Sequence, residues 1–169
     1  DLLWTLPLHP WKNTLQHLFH HGSNQIQRAV LELAWHQPGI ITDLLLLNSI
    51  NEESELAPFA ISCAGDRMIP GIAEKVSPFL KRDNPSLSAA AAVGILKQDS
   101  NHHESKLILD SLMESDDPTI LCTTIGFLKQ SGHWISTENK KRFLGHESHD
   151  VRNHILAVFK DSPDSEFLV

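Results

Sequence analysis

Eleven histidines are the most chemically suggestive residues of this sequence, and most fall into three groups: His17, His20 and His21; His102 and His103; His146, His149 and His154. Residues i and i+4 of a helix share a face, so His17 and His21 are spaced to chelate a metal with help from His20. A usual third ligand is missing, because the first group has no HExxH arrangement, no nearby cysteine and no carboxylate at a matching spacing. The expectation is therefore surface or partly packed histidines, with no metal and no cofactor. Hydrolytic chemistry finds no GxSxG, no cysteine with an adjacent histidine and no glycine-rich phosphate loop. The carboxylates gather in turns and first turns, where Asp116 and Asp117 are read as helix caps rather than a catalytic pair. Tyrosine is absent altogether. No catalytic residue is assigned, and the chain is not expected to be an enzyme.

Charge and cysteine content narrow the partners. Lys plus Arg number 14 against 21 Asp plus Glu, a formal charge of -7 that repels nucleic acid and anionic membrane surfaces. No run approaches the roughly 18 apolar residues needed to span a bilayer, since Leu44 to Leu47 is bracketed by Asp43 and Asn48. Membrane insertion and nucleic-acid binding are thus not expected. Cys63 and Cys122 stand far apart without metal-type spacing and read as small buried hydrophobes in a reducing, cytoplasmic setting. The chain starts at Asp1, and its first ten residues have no basic segment, so the expectation is a piece of a longer protein rather than a signal peptide.

The elements that carry these residues recur. Asp83-Asn84-Pro85 leads to Gly94-Ile95-Leu96-Lys97-Gln98, and Asp117-Pro118 leads to Gly126-Phe127-Leu128-Lys129-Gln130. Anchoring on Leu96 and Leu128 finds equivalent positions at Trp35, Gly65 and Phe159, at intervals of 30, 31, 32 and 31 residues. A period in this range marks a repeated supersecondary unit. Each anchor closes a helix-like run preceded by turn chemistry: residues 22–24, 51–54, 83–85, 116–118 and 147–150 supply Asp, Asn, Ser, Gly or Pro. Companion first helices are expected over Trp11–His20, Ile40–Ile50, Ile69–Leu80, Glu104–Ser115 and Thr137–Gly145, the third of them interrupted by Pro70 and Pro78. Pro58 falls inside the second unit's second helix. Period-two alternation is sustained nowhere, and Ala fills positions 89–92, so the fold class is all-α.

Two columns run through the aligned second helices. Leu33, Cys63, Gly94, Gly126 and Ala157 are mostly small and suit close helix approach. His36, Asp66, Lys97, Lys129 and Lys160 follow the anchors. Cations there satisfy the last carbonyls of a helix, worth about 0.3 to 1 kcal/mol each. They also suggest a basic strip, extended by Arg28 and Arg152, that meets an acidic peptide or domain. Arg28, His36, Lys97, Lys129, Arg152 and Lys160 are accordingly the candidate partner-binding residues. Of the tryptophans, Trp35 is expected in the core. Trp4 and Trp11, set among Leu2, Leu3, Leu6 and Leu8, are expected to cap the open end of the array or to pack on an upstream domain, and Trp134 is a further interface candidate.

These residues resemble HEAT repeats, which pair a first helix with a second across a tight Asp/Asn-Pro turn. The second helices begin near Pro85-Ser86-Leu87-Ser88-Ala89-Ala90-Ala91 and Asp150-Val151-Arg152-Asn153-His154-Ile155-Leu156, and the fifth unit, with Asp150, Val151 and Arg152, is the closest to the family form. The resemblance implies an all-α superhelix, or α-solenoid, of about five hairpins spanning residues 11–37, 40–67, 69–99, 103–132 and 135–161. Residues 1–10 would be an N-terminal linker or cap and 162–169 a C-terminal tail. It further implies a concave face lined by the second helices that holds a protein partner, in a non-enzymatic interaction or scaffold module. The alternatives are an enzyme on HEAT-like repeats, similar to a DNA glycosylase or a pigment-attachment lyase, and a soluble tail domain of a bacterial membrane transporter. The negative charge weighs against the glycosylase, which needs a positive groove.

Overall fold

A computed structural model of the chain describes residues 9–37, 39–51, 53–131 and 135–161. Among these residues there are ten α-helices and no strand. They are α1 (Lys12–His21), α2 (Asn24–His36), α3 (Asp43–Ser49), α4 (Ala57–Asp66), α5 (Ile72–Val76), α6 (Pro85–Gln98), α7 (His103–Met113), α8 (Pro118–Ser131), α9 (Thr137–Leu144) and α10 (His149–Asp161). Single 3-10 turns cover His9–Trp11 and Ser77–Lys81. No helix among the described residues is long and apolar enough to cross a membrane.

Helix starts follow from side-chain caps. The Asn84 side chain accepts the Leu87 N–H at 3.1 Å, directly ahead of Pro85, whose missing N–H costs nothing in a first turn. Asp117 Oδ1 accepts the Thr119 N–H at 2.7 Å at the head of α8, so this aspartate is engaged as a cap. Thr42, Ser136 and the His102 ring do the same for α3, α9 and α7. α4 ends differently: Ile69 N–H bonds Ala64 O and Met68 N–H bonds Gly65 O, a Schellman closure that puts Met68 at φ 52°.

Two expected elements differ from what forms. Instead of one helix over Ile69–Leu80 there is the five-residue α5, entered through Gly71 at φ 81° and passing into the 3-10 turn at Pro78. Proline cannot supply the N–H that a continuing α-helix needs, which explains the change of winding. Pro58 lies in the first turn of α4, not within its interior, because α4 begins only at Ala57.

α6 is the hub. It packs on α4, α5, the Ser77–Lys81 turn, α7 and α8, and every residue from Leu87 to Leu96 is buried. A helix enclosed on all sides must be apolar all round, and small where its neighbours come close, which is what Ala89–Ala92 and Gly94 provide. A Cβ on Gly65 would stand 3.1 Å from the Gly94 Cα, and one on Gly94 would stand 3.1 Å from Ile61 Cγ2. α4 and α6 thus cross nearly backbone to backbone. The remaining contacts are regular: α1 packs on α2, α3 on α4, α7 on α8 and α9 on α10, while α2 meets α4, α6 meets α8 and α8 meets α10.

Polar side chains that reach backbone carbonyls bridge these elements. Arg67, with its side chain only 10% exposed, donates to Ala34 O at 2.7 Å and Ile41 O at 2.8 Å and stands 3.4 Å from Asp43 Oδ1. It ties the end of α2 to the start of α3. Gln98 reaches Ile69 O at 2.6 Å, Gln16 reaches Ile40 O at 2.9 Å and Arg142 donates to Met113 O. On the surface Lys81 pairs with Glu104 at 2.9 Å and holds that carboxyl below the usual glutamate range.

Candidate interaction groove

The face along which α2, α4, α6, α8 and α10 lie side by side carries a groove of about 540 Å³. α2 contributes Asn24, Gln25 and Arg28, and the entry and first turn of α4 contribute Glu55, Leu56, Pro58 and Phe59. Ser86 comes from α6, Cys122, Thr123, Gly126 and Phe127 from α8, and His154 from α10. Its walls therefore draw on five helices that are up to 130 residues apart in sequence, Asn24 to His154. The depth at α8 exists because Gly126 has no side chain, and a Cβ there would meet nothing within 4 Å.

The lining mixes aromatic surface with a few polar groups. Phe59 receives the edge of Trp35, with ring centres 5.2 Å apart and planes at 79°, and the Arg28 guanidinium lies 5.3 Å above the Phe59 ring. Arg28 also pairs with Glu32 at 3.3 Å, four residues on. Asn24 donates to Glu55 at 3.4 Å and joins the α2 and α4 walls. Burial raises the Cys122 thiol above its ordinary range, and Asp150 pushes it further the same way. Such a thiol is a poor nucleophile at neutral pH. The groove offers apolar surface and hydrogen-bonding groups side by side.

Of the six residues expected to bind a partner, five have described side chains, and among those five only Arg28 lines the groove. Lys97 is turned into an ion pair with Asp66, its neighbour in the column of residues after the anchors, and the two side chains are 15% and 22% exposed. Partial burial pulls this ammonium below the usual lysine range. Arg152 donates to His146 O at 2.6 Å and Glu147 O at 2.8 Å, which fixes the turn ahead of α10. His36 and Lys129 are exposed near the ends of α2 and α8. The Lys160 side chain, Trp4 and Trp134 lie outside the described residues. Trp35 is half-buried against the core, whereas Trp11 is 61% exposed.

The histidines separate in the same way. His102 accepts the Ser105 N–H, His146 accepts the Ser148 N–H at 3.0 Å, His149 meets Asn153 and His154 meets Asp150 O. Among the described residues no three His, Cys, Asp or Glu side chains gather closely enough to hold a metal ion. Cys63 is buried and Cys122 half-buried, and neither is in a disulfide. Phe59, Phe127 and Gly126 line the groove without belonging to the residue types that carry acid-base, nucleophilic or metal chemistry. The small-residue column held the one available signal, since it includes Gly126. Compared with known proteins, the chain matches no family model, no curated protein and no solved structure.

Proposed function

We propose that the ten helices form five HEAT-like hairpins stacked as an α-solenoid, and that the chain is a non-enzymatic interaction module holding a protein partner in the groove across the second helices. The observation that carries this reading is a groove whose walls come from α2, α4, α6, α8 and α10 together. Supporting it are the hairpin contacts of α1 with α2, α3 with α4, α7 with α8 and α9 with α10, and the side-by-side order of the even-numbered helices. The partner sets apolar side chains on Phe59 and Phe127 and directs an acidic group to Arg28, because aromatic surface anchors interfaces and a guanidinium orients carboxylates. The free thiols Cys63 and Cys122 suit a reducing, cytoplasmic setting.

Gly126 supplies the test, since a Cβ there meets open space and a large side chain built on it would project into the groove. Gly126→Trp is expected to lose a partner captured from the parent organism's extract while far-ultraviolet circular dichroism stays unchanged. Leu107→Glu, on an exposed site of α7 outside the groove, is expected to retain it. Retention by Gly126→Trp would remove the groove as the binding face.

A further inference from the structure

We propose that His17 and His21 on α1 form a two-imidazole chelate for one divalent transition-metal ion of the Zn(II), Ni(II) or Cu(II) class. The site shares no residue with the groove, and it stands or falls independently of the interaction reading. Their ring centres are 4.6 Å apart with planes inclined at 48°. A metal–nitrogen bond of about 2.0–2.1 Å puts an imidazole centre about 3.2 Å from the ion, so two ligands at about 90° have centres about 4.5 Å apart. The ring centres therefore stand at the separation that cis coordination requires.

Three further features single out this pair. α1 is held by buried Phe19 and by the Gln16 bond to Ile40 O, which leaves His17 and His21 exposed on the opposite side. Both sit toward the C-terminal end of α1, where the last carbonyls carry partial negative charge and favour a cation. His102, His146, His149 and His154 each commit a ring nitrogen to a neighbouring group, whereas the His17 ring faces that of His21, which also neighbours the His20 ring. His20 lies beside Phe19, its ring centre 6.0 Å from that of His21, and faces a separate hollow with Gln27 and Leu45. It is not a third ligand. Water completes the coordination. Imidazole nitrogen selects borderline transition metals over Mg(II) and Ca(II), which take oxygen ligands.

The test is calorimetric titration of the full chain, made without a histidine tag and stripped of metal, with Ni(II), Cu(II), Zn(II) and Mg(II). One ion per chain is expected to bind with Cu(II) tightest, and Mg(II) is expected to give no heat. His17→Ala and His21→Ala should each weaken binding at least about tenfold, and His20→Ala by less than about twofold, because only the first two remove a ligand. The three replaced side chains are exposed, so all three variants should melt as the parent does in the absence of metal. The proposal is overturned if no transition metal binds up to about 1 mM, if His17→Ala or His21→Ala leaves affinity unchanged, or if His20→Ala costs as much as they do.

Discussion

Asp66 and Lys97 follow successive anchors, Gly65 and Leu96, and the structure makes them each other's partner. With both side chains more than three-quarters removed from solvent, the pair answers to removal of one charge more than to removal of its attraction. Asp66→Ala strands the ammonium and is expected to lower unfolding free energy in urea by about 1–3 kcal/mol. Lys97→Met in combination with Asp66→Leu should recover most of that loss. Charge reversal at Lys97 would therefore report on folding before it reported on any partner. The cysteines behave as inert side chains: burial pushes the Cys63 and Cys122 thiols up, with Arg67 opposing the shift at Cys63. At pH 8, Cys122 is expected to react slowly with a thiol reagent and Cys63 only after denaturant is added. The raised folded-state values set the sign of the linkage. The thiols hold their protons longer in the fold, so stability fully present below the unfolded thiol value of about 8.5 is lost as pH rises from there through the higher folded-state values.

Glycines separate packing from function at the scale of helices. Gly65→Ala would set a Cβ 3.1 Å from the Gly94 backbone and force α4 away from α6, an expected loss of about 1–3 kcal/mol. Gly126→Ala meets open space in the interior of α8, so replacing the weak helix former should raise stability by up to about 1 kcal/mol. Thermal unfolding of the two variants distinguishes these opposite signs. Turn chemistry made the helix starts legible: Asn84 ahead of Pro85 and Asp117 ahead of Pro118 both cap in place. The column of small residues likewise named Gly94, but it could not say that Gly94 touches Ile61 whereas Gly126 opens on a groove. α5 was less legible, because Pro70, Gly71 and Pro78 act locally against an apolar pattern that extends through Leu80. The Arg67 clamp was invisible for another reason. Its partners are carbonyls of Ala34 and Ile41, and backbone acceptors leave no mark on residue type.

Across the whole molecule, α2 meets α4, α4 meets α6, α6 meets α8 and α8 meets α10, with α6 enclosed at the centre. Composition foretold the all-α class, and the -7 charge framed the choice of partner. The groove was not legible, since it is built from one to four residues of each of five helices whose relative positions only packing determines. Lys97 turns to Asp66 and Arg152 to the carbonyls of His146 and Glu147, because a column of equivalent positions fixes place along a helix but not which neighbour a side chain turns toward. The most direct measurement is photo-crosslinking with a benzophenone side chain placed in turn at Arg28, Ser86, Thr123 and, outside the groove, Leu107. If the second helices share one binding surface, the first three positions capture the same protein partner and Leu107 does not. Capture from Leu107 alone, or of unrelated proteins from the three groove positions, would contradict it.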